Sequence, residues 1–563
     1  MAGQRLMLQG LLAPALALLA FVVLGGVAWA EPSLWKVGAA LGAGGLVGIA
    51  IVDLLQTRHA LLRNYPILAH IRFFLESIRP EMRQYFVEAD GEATPFSRQQ
   101  RSVVYQRAKN VLDKRPFGTL LDVYGDDHEW LNHSMAPVKI AKENSDFRVS
   151  VGGPDCLKPY SISVFNISAM SFGALSGRAV QALNRGAAIG GFAHDTGEGS
   201  ISLHHRPLEA GAPAGDLIWE IGSGYFGCRD QDGRFDADKF IENACDPQVR
   251  MIEIKLSQGA KPGHGGVLPG AKVSAEIAEA RGVEPGQDCI SPAAHSAFST
   301  PLELIAFIAR LRDLSGGKPV GVKLAIGHPW EFYAVCKAML ETGITPDFIV
   351  IDGAEGGTGA APVEFADHVG VPLREALLLV HNTLVGLNLR SRIRLGASGK
   401  IITAFDIARA MAMGADWCNS ARGFMFALGC VQSLSCHTDR CPTGIATQNP
   451  LRQRALVVGD KAERVAHFHR NTLMALAELI GAAGLSSPMA LAPHHIVRRV
   501  SGNEVRNLTM LYKFMTAGEL LRNPAAHQLF ERYWPMASSH SFAAQPLPPA
   551  ATMAAPATTI ADR

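Results

Sequence analysis

The chain has little charge, and almost no excess of either sign. Of its 563 residues, 18% are Asp, Glu, Lys or Arg, and the formal net charge is +2. A nucleic-acid-binding protein shows a basic stripe with interleaved aromatics. No such stripe occurs here, so nucleic acid is excluded as a partner. A disulfide framework is missing as well. Nine cysteines are few for this length. Six of them (Cys156, Cys228, Cys245, Cys289, Cys336, Cys418) lie far apart, as suits a reducing compartment. There is no internal repeat, and no clear NADPH-binding Gly-x-Gly-x-x-Gly unit follows a strand. What remains is a chain that is 48% hydrophobic. It reads as globular rather than disordered and is long enough for about two to four domains.

The first sixty residues read as a membrane device. Leu6 to Ala30 is a 25-residue stretch without charge, and Val37 to Val52 is a second apolar run. A helix needs about 20 apolar residues to cross a bilayer, and glycines in the second run are tolerated there. Glu31-Pro32-Ser33-Leu34-Trp35-Lys36 links the two as a tight turn with an interfacial Trp. Arg5 precedes the first run, and Arg58, Arg63, Arg72 and Arg79 follow the second. The positive-inside bias then puts both ends in the cytoplasm. The expectation is a multi-pass inner-membrane protein with a cytoplasmic catalytic domain, anchored by two helices in 1–56. Two alternatives stand: signal cleavage at Ala28-Trp29-Ala30, and a buried core helix for the second run.

Residues 57–150 read as a helical connector. From Ala60 to Arg79, apolar residues recur at helical spacing with arginines between them. Such a face suits packing on a folded domain, the expectation here, or a membrane surface. Beyond residue 150 the pattern changes. Eight short β-rich runs (Ser161–Ala169, Gly191–Asp195, Leu217–Ile221, Met251–Ser257, Pro319–Ala325, Phe348–Gly353, Arg392–Ala397, Asp416–Ala421) alternate with amphipathic stretches. Alternation predicts a parallel sheet, and eight repeats predict an α/β fold closed as a (β/α)8 TIM barrel over 151–480. Insertions near 222–250 and 258–300 depart from a minimal barrel. A helical extension is expected over 481–535, and a disordered Ala/Pro/Ser tail over 536–563.

Several constellations carry chemistry. Barrel enzymes bind phosphate in the loops after strands seven and eight. Here those loops are Gly396-Ala397-Ser398-Gly399-Lys400 and Ser420-Ala421-Arg422-Gly423. Their glycines allow close backbone approach, and Lys400 or Arg422 supplies charge. Cys430, Cys436 and Cys441 crowd into twelve residues. Three close thiols without a fourth fit a three-iron cluster. Zinc with His437 is the competitor, although His437 directly follows Cys436 and makes tetrahedral closure awkward. Buried structural cysteine is the third reading. The glycine loop Gly353–Ala361, with Gly356 and Gly357 at its centre, follows a strand and lets a flat ring or substrate approach the backbone. Asp352 and Glu355 are polar contacts there or merely loop carboxylates. Lys323 ends another strand and stands either near a flavin's electron-rich edge or in a buried salt bridge.

Taken together, these segments resemble the synthase domain of the glutamate synthase family over about residues 150–480. The resemblance rests on Ile167-Ser168-Ala169-Met170-Ser171-Phe172-Gly173, Asp195-Thr196-Gly197-Glu198-Gly199, Gln258-Gly259-Ala260-Lys261-Pro262-Gly263 with Leu268-Pro269-Gly270, the loop Gly356–Pro362, and the cysteine run continuing into Pro442-Thr443-Gly444. It implies FMN contacted by Ala169, Met170 and Ser171, and a 3Fe–4S cluster on Cys430, Cys436 and Cys441. It also implies reductive amination of a 2-oxo acid, 2-oxoglutarate above all, with ammonia. Lys261 matches the family's substrate lysine, Arg281 its carboxylate-binding arginine, and Glu198 its Thr-Gly-Glu-Gly glutamate. Val267 stands at the family's glutamine and His264 at a neighbouring acidic position, which loosens substrate identity. Met1-Ala2 replaces the N-terminal cysteine of a glutaminase domain, so ammonia is expected free or from a partner. Electrons are expected from ferredoxin, a flavoprotein or the quinone pool. Alternatives are an amine oxidoreductase, such as an N-methylglutamate-forming synthase subunit, and a membrane electron relay.

Overall fold

The computed structural model describes residues 2–89, 91, 94–207 and 214–546. The chain forms two compact units, Met1–Pro95 and Phe96–Arg563. In the first, helices α1 (Ala2–Ala30) and α2 (Leu34–Leu55) pack together. The seam is made of small residues. Ala17, Ala40, Ala43 and Ala50 are buried, and a Cβ at Gly44 would stand 2.9 Å from the Phe21 ring. Small residues let helices approach closely where no hydrophobic effect drives them together. By length and composition, both helices can cross a bilayer.

The second unit is a closed barrel of eight parallel strands: β1 (Phe165–Ile167), β2 (His194–Asp195), β3 (Leu217–Ile221), β4 (Val249–Lys255), β5 (Val320–Leu324), β6 (Phe348–Asp352), β7 (Arg394–Ser398) and β8 (Trp417–Ser420). They pair in chain order, and β8 closes on β1 through Cys418–Phe165, Asn419–Asn166 and Ser420–Ile167. Each lies within, or within two residues of, an expected run. Parallel strands buried on both faces read as continuous apolar stretches, which is why they are visible in the sequence. The first is shorter than expected: Tyr160–Ser163 pairs antiparallel with Arg148–Val151, and only the residues after it join the barrel. Successive side chains point to opposite faces of a strand. The inward rows therefore run Ala193–Asp195, Ile218–Glu220, Met251–Glu253–Lys255 and Phe348–Val350–Asp352. Their lower members form an apolar plug with Trp417, Val151, Tyr160 and Ile162. Their upper members are charged and lie towards the C-terminal mouth.

Both insertions depart from a plain barrel as expected. Residues 222–250 carry the helix Ala237–Ala244. Residues 258–300 carry the strand pair Val267–Leu268 and Cys289–Ile290 and the helix Ala275–Arg281. The flanks differ from the expectation. The last α-helix in 57–150 ends at Ala108, after which the chain is irregular with short strands and one 3-10 turn, Lys142–Asn144. The extension 481–535 is not all helical: Ile496–Ser501 and Glu504–Asn507 form a hairpin that pairs with Glu129–Leu131. The reason is local. Ile496-Val497-Arg498-Arg499-Val500 holds β-branched residues that a third strand can pair. The tail also folds on as far as residue 546. Ser539 donates to Glu341 at 2.6 Å, and Lys337 donates to the Ala537 carbonyl at 2.8 Å. Residues 547–563 of the expected tail lie outside the described residues.

One carboxylate joins these flanks to the barrel. Glu129, 4% exposed, receives Arg374 at 3.0 Å through both nitrogens, Arg409 at 3.0 Å and Arg498 at 2.7 Å. Burial alone raises its pKa, but the charges of Arg409 and Arg374 and the Arg498 hydrogen bond hold it below the ordinary carboxylate value. A depressed acid stabilises above its unfolded pKa, and that stability is lost as pH falls through the folded value. Glu129→Gln leaves three arginines sharing a neutral amide. It is expected to lose about 3 kcal/mol in urea unfolding at neutral pH, with a smaller loss below pH 4.5, the ordinary Glu value.

Candidate active site

A cavity of about 240 Å³ opens at the C-terminal mouth, and every barrel strand or the loop after it contributes to its wall. Of the side chains singled out in the sequence for cofactor, substrate or metal, Cys430, Cys441, Glu355 and His264 stand outside its lining. Gly197 (φ 66°) shows how tightly the loops meet: a Cβ there would stand 2.6 Å from the Ser171 nitrogen. Only glycine suits both that backbone angle and that approach.

The floor is a buried charge cluster. Lys323 on β5 pairs with Glu220 on β3 at 2.7 Å, and both line the cavity. Carboxylate oxygens of Asp195, Glu220 and Glu253 lie within 4.8 Å of one another. One ammonium cannot balance three carboxylates in a dry interior, so protons must remain. Burial, then the Glu220 charge, pushes Asp195 up to about 7. Burial, then the Asp195 charge, pushes Glu253 well up, and neither Glu253 oxygen meets a donor from elsewhere. Burial lowers Lys323, but the charges of Glu220, Asp352, Asp195 and Glu253 outweigh it and keep the lysine protonated. Lys323 thus stands in a buried salt bridge and at the cavity floor at once.

One flank of the cavity is cationic. Glu198 is bound by Lys255 at 3.0 Å. Burial raises Glu198, but Lys255, then Arg281 and Lys261, hold it below the ordinary carboxylate range, so it is ionised. Three cations face one carboxylate, a local excess of two positive charges. Lys261 donates to the Gly265 carbonyl at 3.1 Å, and burial lowers its pKa. Arg281 lies over the Phe226 ring at 5.2 Å and donates to the Phe172 carbonyl at 2.9 Å, while its Nε has no partner. Val267 lines the cavity, and His264 is exposed against Phe365. His295 bonds the Lys255 carbonyl at 2.8 Å and the Tyr225 hydroxyl at 3.0 Å, and burial drives it down to about 4. It is a neutral brace for the strand end that carries Lys255. Sequence reasoning missed Lys255, although it ends β4 much as Lys323 ends β5. It also missed Lys272, which lines the cavity and donates to the Cys436 carbonyl at 3.0 Å.

The opposite flank holds the two glycine loops. Lys400 lines the cavity with its ammonium 5.9 Å from the Phe96 ring, and no carboxylate pairs with it among the described residues. The helix Ala404–Ala412 is already capped: Asp406 accepts from the Ile402 and Thr403 nitrogens. The helix Arg422–Leu428 has no side-chain cap and starts at the cavity wall. Arg422 donates to the Thr358 carbonyl at 2.9 Å and so holds the loop containing Gly356 and Gly357. Asp352 accepts from Gly259 at 2.8 Å, and Glu355 accepts from Leu373 at 2.9 Å. Glu355 is a loop brace, while Asp352 also lines the cavity. The side-chain oxygen of Asn419 in the same wall is buried without a partner. Gly222-Ser223-Gly224-Tyr225-Phe226-Gly227 after β3 has dinucleotide-type glycine spacing. The next helix starts only at Ala237, so it is no dinucleotide turn.

The cysteine loop borders the cavity at Cys436 and His437. Three of its non-glycine residues, Gln432, Leu434 and Asp439, have φ of 56°, 56° and 61°. Such strain persists only where the surroundings enforce it. Burial raises the Cys441 thiol. The Thr443 hydroxyl and the backbone N–H groups of Ala446, Thr443 and Ile445 outweigh that and hold it below the ordinary value. Burial holds Cys430 above the ordinary value. Donors to one zinc ion stand about 3.8 Å apart. Among the described residues, only the Asp195, Glu220 and Glu253 donor atoms converge within 4.8 Å of one another. The three thiols and His437 are therefore spaced too widely for one zinc.

Residues 133–486 match the family model described as a conserved region in glutamate synthase. The chain belongs to the glutamate synthase family. It is 38% identical over 507 residues to the glutamate synthase large subunit-like protein YerD of Bacillus subtilis, covering 83% of this chain and 95% of that protein. It is 36% identical over 346 residues to the archaeal glutamate synthase (NADPH) of Methanocaldococcus jannaschii, covering 61% of this chain and 64% of that one. A stretch of 292 residues is 37% identical to the NADPH glutamate synthase large chain of B. subtilis, half of this chain but 18% of that protein. This glutamate synthase-type barrel is thus an oxidoreductase scaffold.

The floor yields a pH prediction. Asp195 has its pKa raised from 3.8 to about 7, so the folded state binds more protons than the unfolded state across that window. Stability from this group is full below the lower value and is lost as pH rises to the upper one. Measured by calorimetry between pH 4 and 7, Asp195→Asn should lose less melting temperature with rising pH than the parent chain does.

Proposed function

We propose that the chain is an FMN- and 3Fe–4S-dependent synthase that reductively aminates a 2-oxo diacid, 2-oxoglutarate foremost, with ammonia and external electrons. The observation that carries this reading is the cationic flank: Lys255, Lys261 and Arg281 face a single carboxylate, Glu198. An excess of two positive charges is the electrostatic complement of a dicarboxylate. Arg281 brings a guanidinium to the cavity wall, held by the Phe172 carbonyl at 2.9 Å and Cys289 Sγ at 3.6 Å, with its buried Nε unpaired.

The residues present fit both groups. Lys400, Ser398, Gly399, Ala421 and the uncapped start at Arg422 suit a phosphate. Ala169, Met170, Ser171 and the partnerless Asn419 oxygen suit a flat polar ring. Cys430, Cys436 and Cys441 suit a cluster too broad for one metal ion, and the N–H donors around Cys441 stabilise a thiolate there. When bound, FMN would supply hydride transfer and the cluster single electrons. Around them, Lys261 and Arg281 hold the two carboxylates of the oxo acid. Glu198, kept ionised by Lys255, accepts a hydrogen bond from the nitrogen that becomes the amino group. Lys323 keeps positive charge beneath the reacting centre. The wall of Val267 and Leu268 excludes water from the side of the substrate chain.

A second reading has one specific observation behind it. Val267 replaces an amide contact with an apolar wall, and that favours an amine or N-methylated product on the same scaffold. An electron relay is disfavoured, since it has no use for three converging cations. We place α1 and α2 in the membrane, with both ends and the barrel on the cytoplasmic side. The arginines following α2 support that orientation. Ferredoxin, a flavoprotein or a quinone-linked donor delivers the electrons.

Anaerobically reduced, detergent-purified protein should reoxidise on adding 2-oxoglutarate with ammonium and release glutamate. Release of an N-alkyl amino acid only when methylamine replaces ammonium would transfer the assignment to the second reading. Cys436→Ser should lose the cluster's low-temperature EPR signal while keeping the flavin spectrum; an unchanged EPR signal removes it as a ligand. Arg281→Lys keeps the charge but loses the fork. It should raise KM for the oxo acid by about tenfold to a hundredfold, the effect of 1.5–3 kcal/mol for a charge-assisted contact, with kcat changing far less.

A further inference from the structure

We propose that the helix Leu68–Met82 lies in the headgroup layer of the bilayer, with Ile71, Phe74 and Leu75 among the lipid chains. The inference rests on reading α1 and α2 as a membrane hairpin and adds a third, interfacial element to it. The first observation is how the helix is fixed. Asp53, in the last turn of α2, is 3% exposed. It accepts from the Ile67 nitrogen at 3.0 Å and meets His70 Nε2 at 2.9 and 3.0 Å. Gln56 closes the turn between them, donating to the Asp53 and His59 carbonyls at 3.0 and 2.8 Å. The helix therefore begins at the level where α2 ends. If α2 spans the bilayer, that level is the interface.

The second observation is which face is used. Ala69 is buried, and Phe73 packs edge-on against His59 at 5.8 Å, so this face turns to the connecting segment. On the other side, Ile71, Phe74 and Leu75 are 57%, 60% and 56% exposed, and Leu68 and Met82 are exposed with them. An apolar stripe at three- and four-residue spacing within a 15-residue helix is left uncovered by its own unit. Patches of this kind mark an interaction site. The third observation is charge. Arg72, Arg79 and Arg83 flank the stripe; Arg72 pairs with Glu76 at 2.9 Å and Arg83 with Glu88 at 3.4 Å, while Arg79 forms no ion pair among the described residues. Arginines beside an apolar stripe, long enough to reach phosphates while their stems stay in the apolar layer, complement a lipid surface. A protein groove offers no such ring of anions around an apolar layer.

The test labels lipid contact directly. The full chain is placed in nanodiscs containing a phosphatidylcholine with a diazirine on its acyl chain, photolysed, and digested for mass spectrometry. Adducts on both α1–α2 and the 68–82 peptide are expected. Ile71→Glu with Leu75→Glu should reduce adducts on that peptide at least fivefold and leave those on α2 unchanged; Phe74→Ala, a milder change, should give a smaller drop. Adducts on α1 and α2 alone, as when the stripe is docked on protein, would overturn the proposal but spare the hairpin. Adducts on neither would overturn both.

Discussion

The Lys323–Glu220 pair at the barrel floor is the interaction on which the site depends. A buried ion pair is costly to desolvate and stabilises little in itself. Its presence in the middle of the barrel needs a rigid surround to hold it, and the plug of Trp417, Phe348, Tyr160 and Met251 beneath provides one. Strand pleating decides the rest. Because inward positions recur every second residue, the register that sends Ile218 and Met251 into the plug also sends Glu220 and Glu253 to the floor. A one-residue slip in any of these strands would expel a charge and open the plug together. The polarity of the floor is therefore a consequence of the same pairing that closes the barrel.

Above the floor, long connections hold each other. Lys272 reaches from the loop after β4 to the Cys436 carbonyl, and Arg422 reaches from β8 to the loop after β6. Gln448, just beyond the cysteines, donates to the Gly173 and Leu175 carbonyls after β1 at 2.9 Å each. Tyr105 donates to the Cys430 carbonyl at 2.6 Å. These ties cross in sequence but are short in space, so the loops that line the cavity form one frame. Rigid placement of this kind is what a binding constellation needs before any ligand arrives.

The barrel was legible because each of its strands is a buried apolar run, and the cysteine loop because its thiols are close in sequence. Elements defined by distant partners were not. The strand Ile496–Ser501 pairs both with its hairpin neighbour Glu504–Asn507 and with the far-off Glu129–Leu131, and the strand Tyr160–Ser163 is set apart from β1 by its pairing with Arg148–Val151. Glu129 looks like any surface carboxylate until three arginines from three elements meet on it. Lys255 was within reach: it shares inward parity with Met251 and Glu253. Missing from the sequence was Glu198 on the neighbouring loop, the partner that turns Lys255 from a strand terminus into part of the cationic flank.

The two substitutions in the 258–270 loop bear on recognition unequally. The positive charge of the cavity's cationic flank comes from Lys255, Lys261 and Arg281, and a neutral amide at position 267 would add nothing to it. Val267 therefore leaves the long-range term intact and removes a directional contact. His264 is exposed, and its Nδ1 is engaged with the Gly265 carbonyl at 2.9 Å. Capture of an anion and choice among anions are thus separable here. The first is set by Lys255 at the end of β4, Arg281 on the helix Ala275–Arg281 and Lys261 in the loop between them. The second is set by a loop whose apolar wall discriminates by shape, at the modest level a methylene-sized difference allows. Charge and shape are thus supplied by different groups of the same cavity wall.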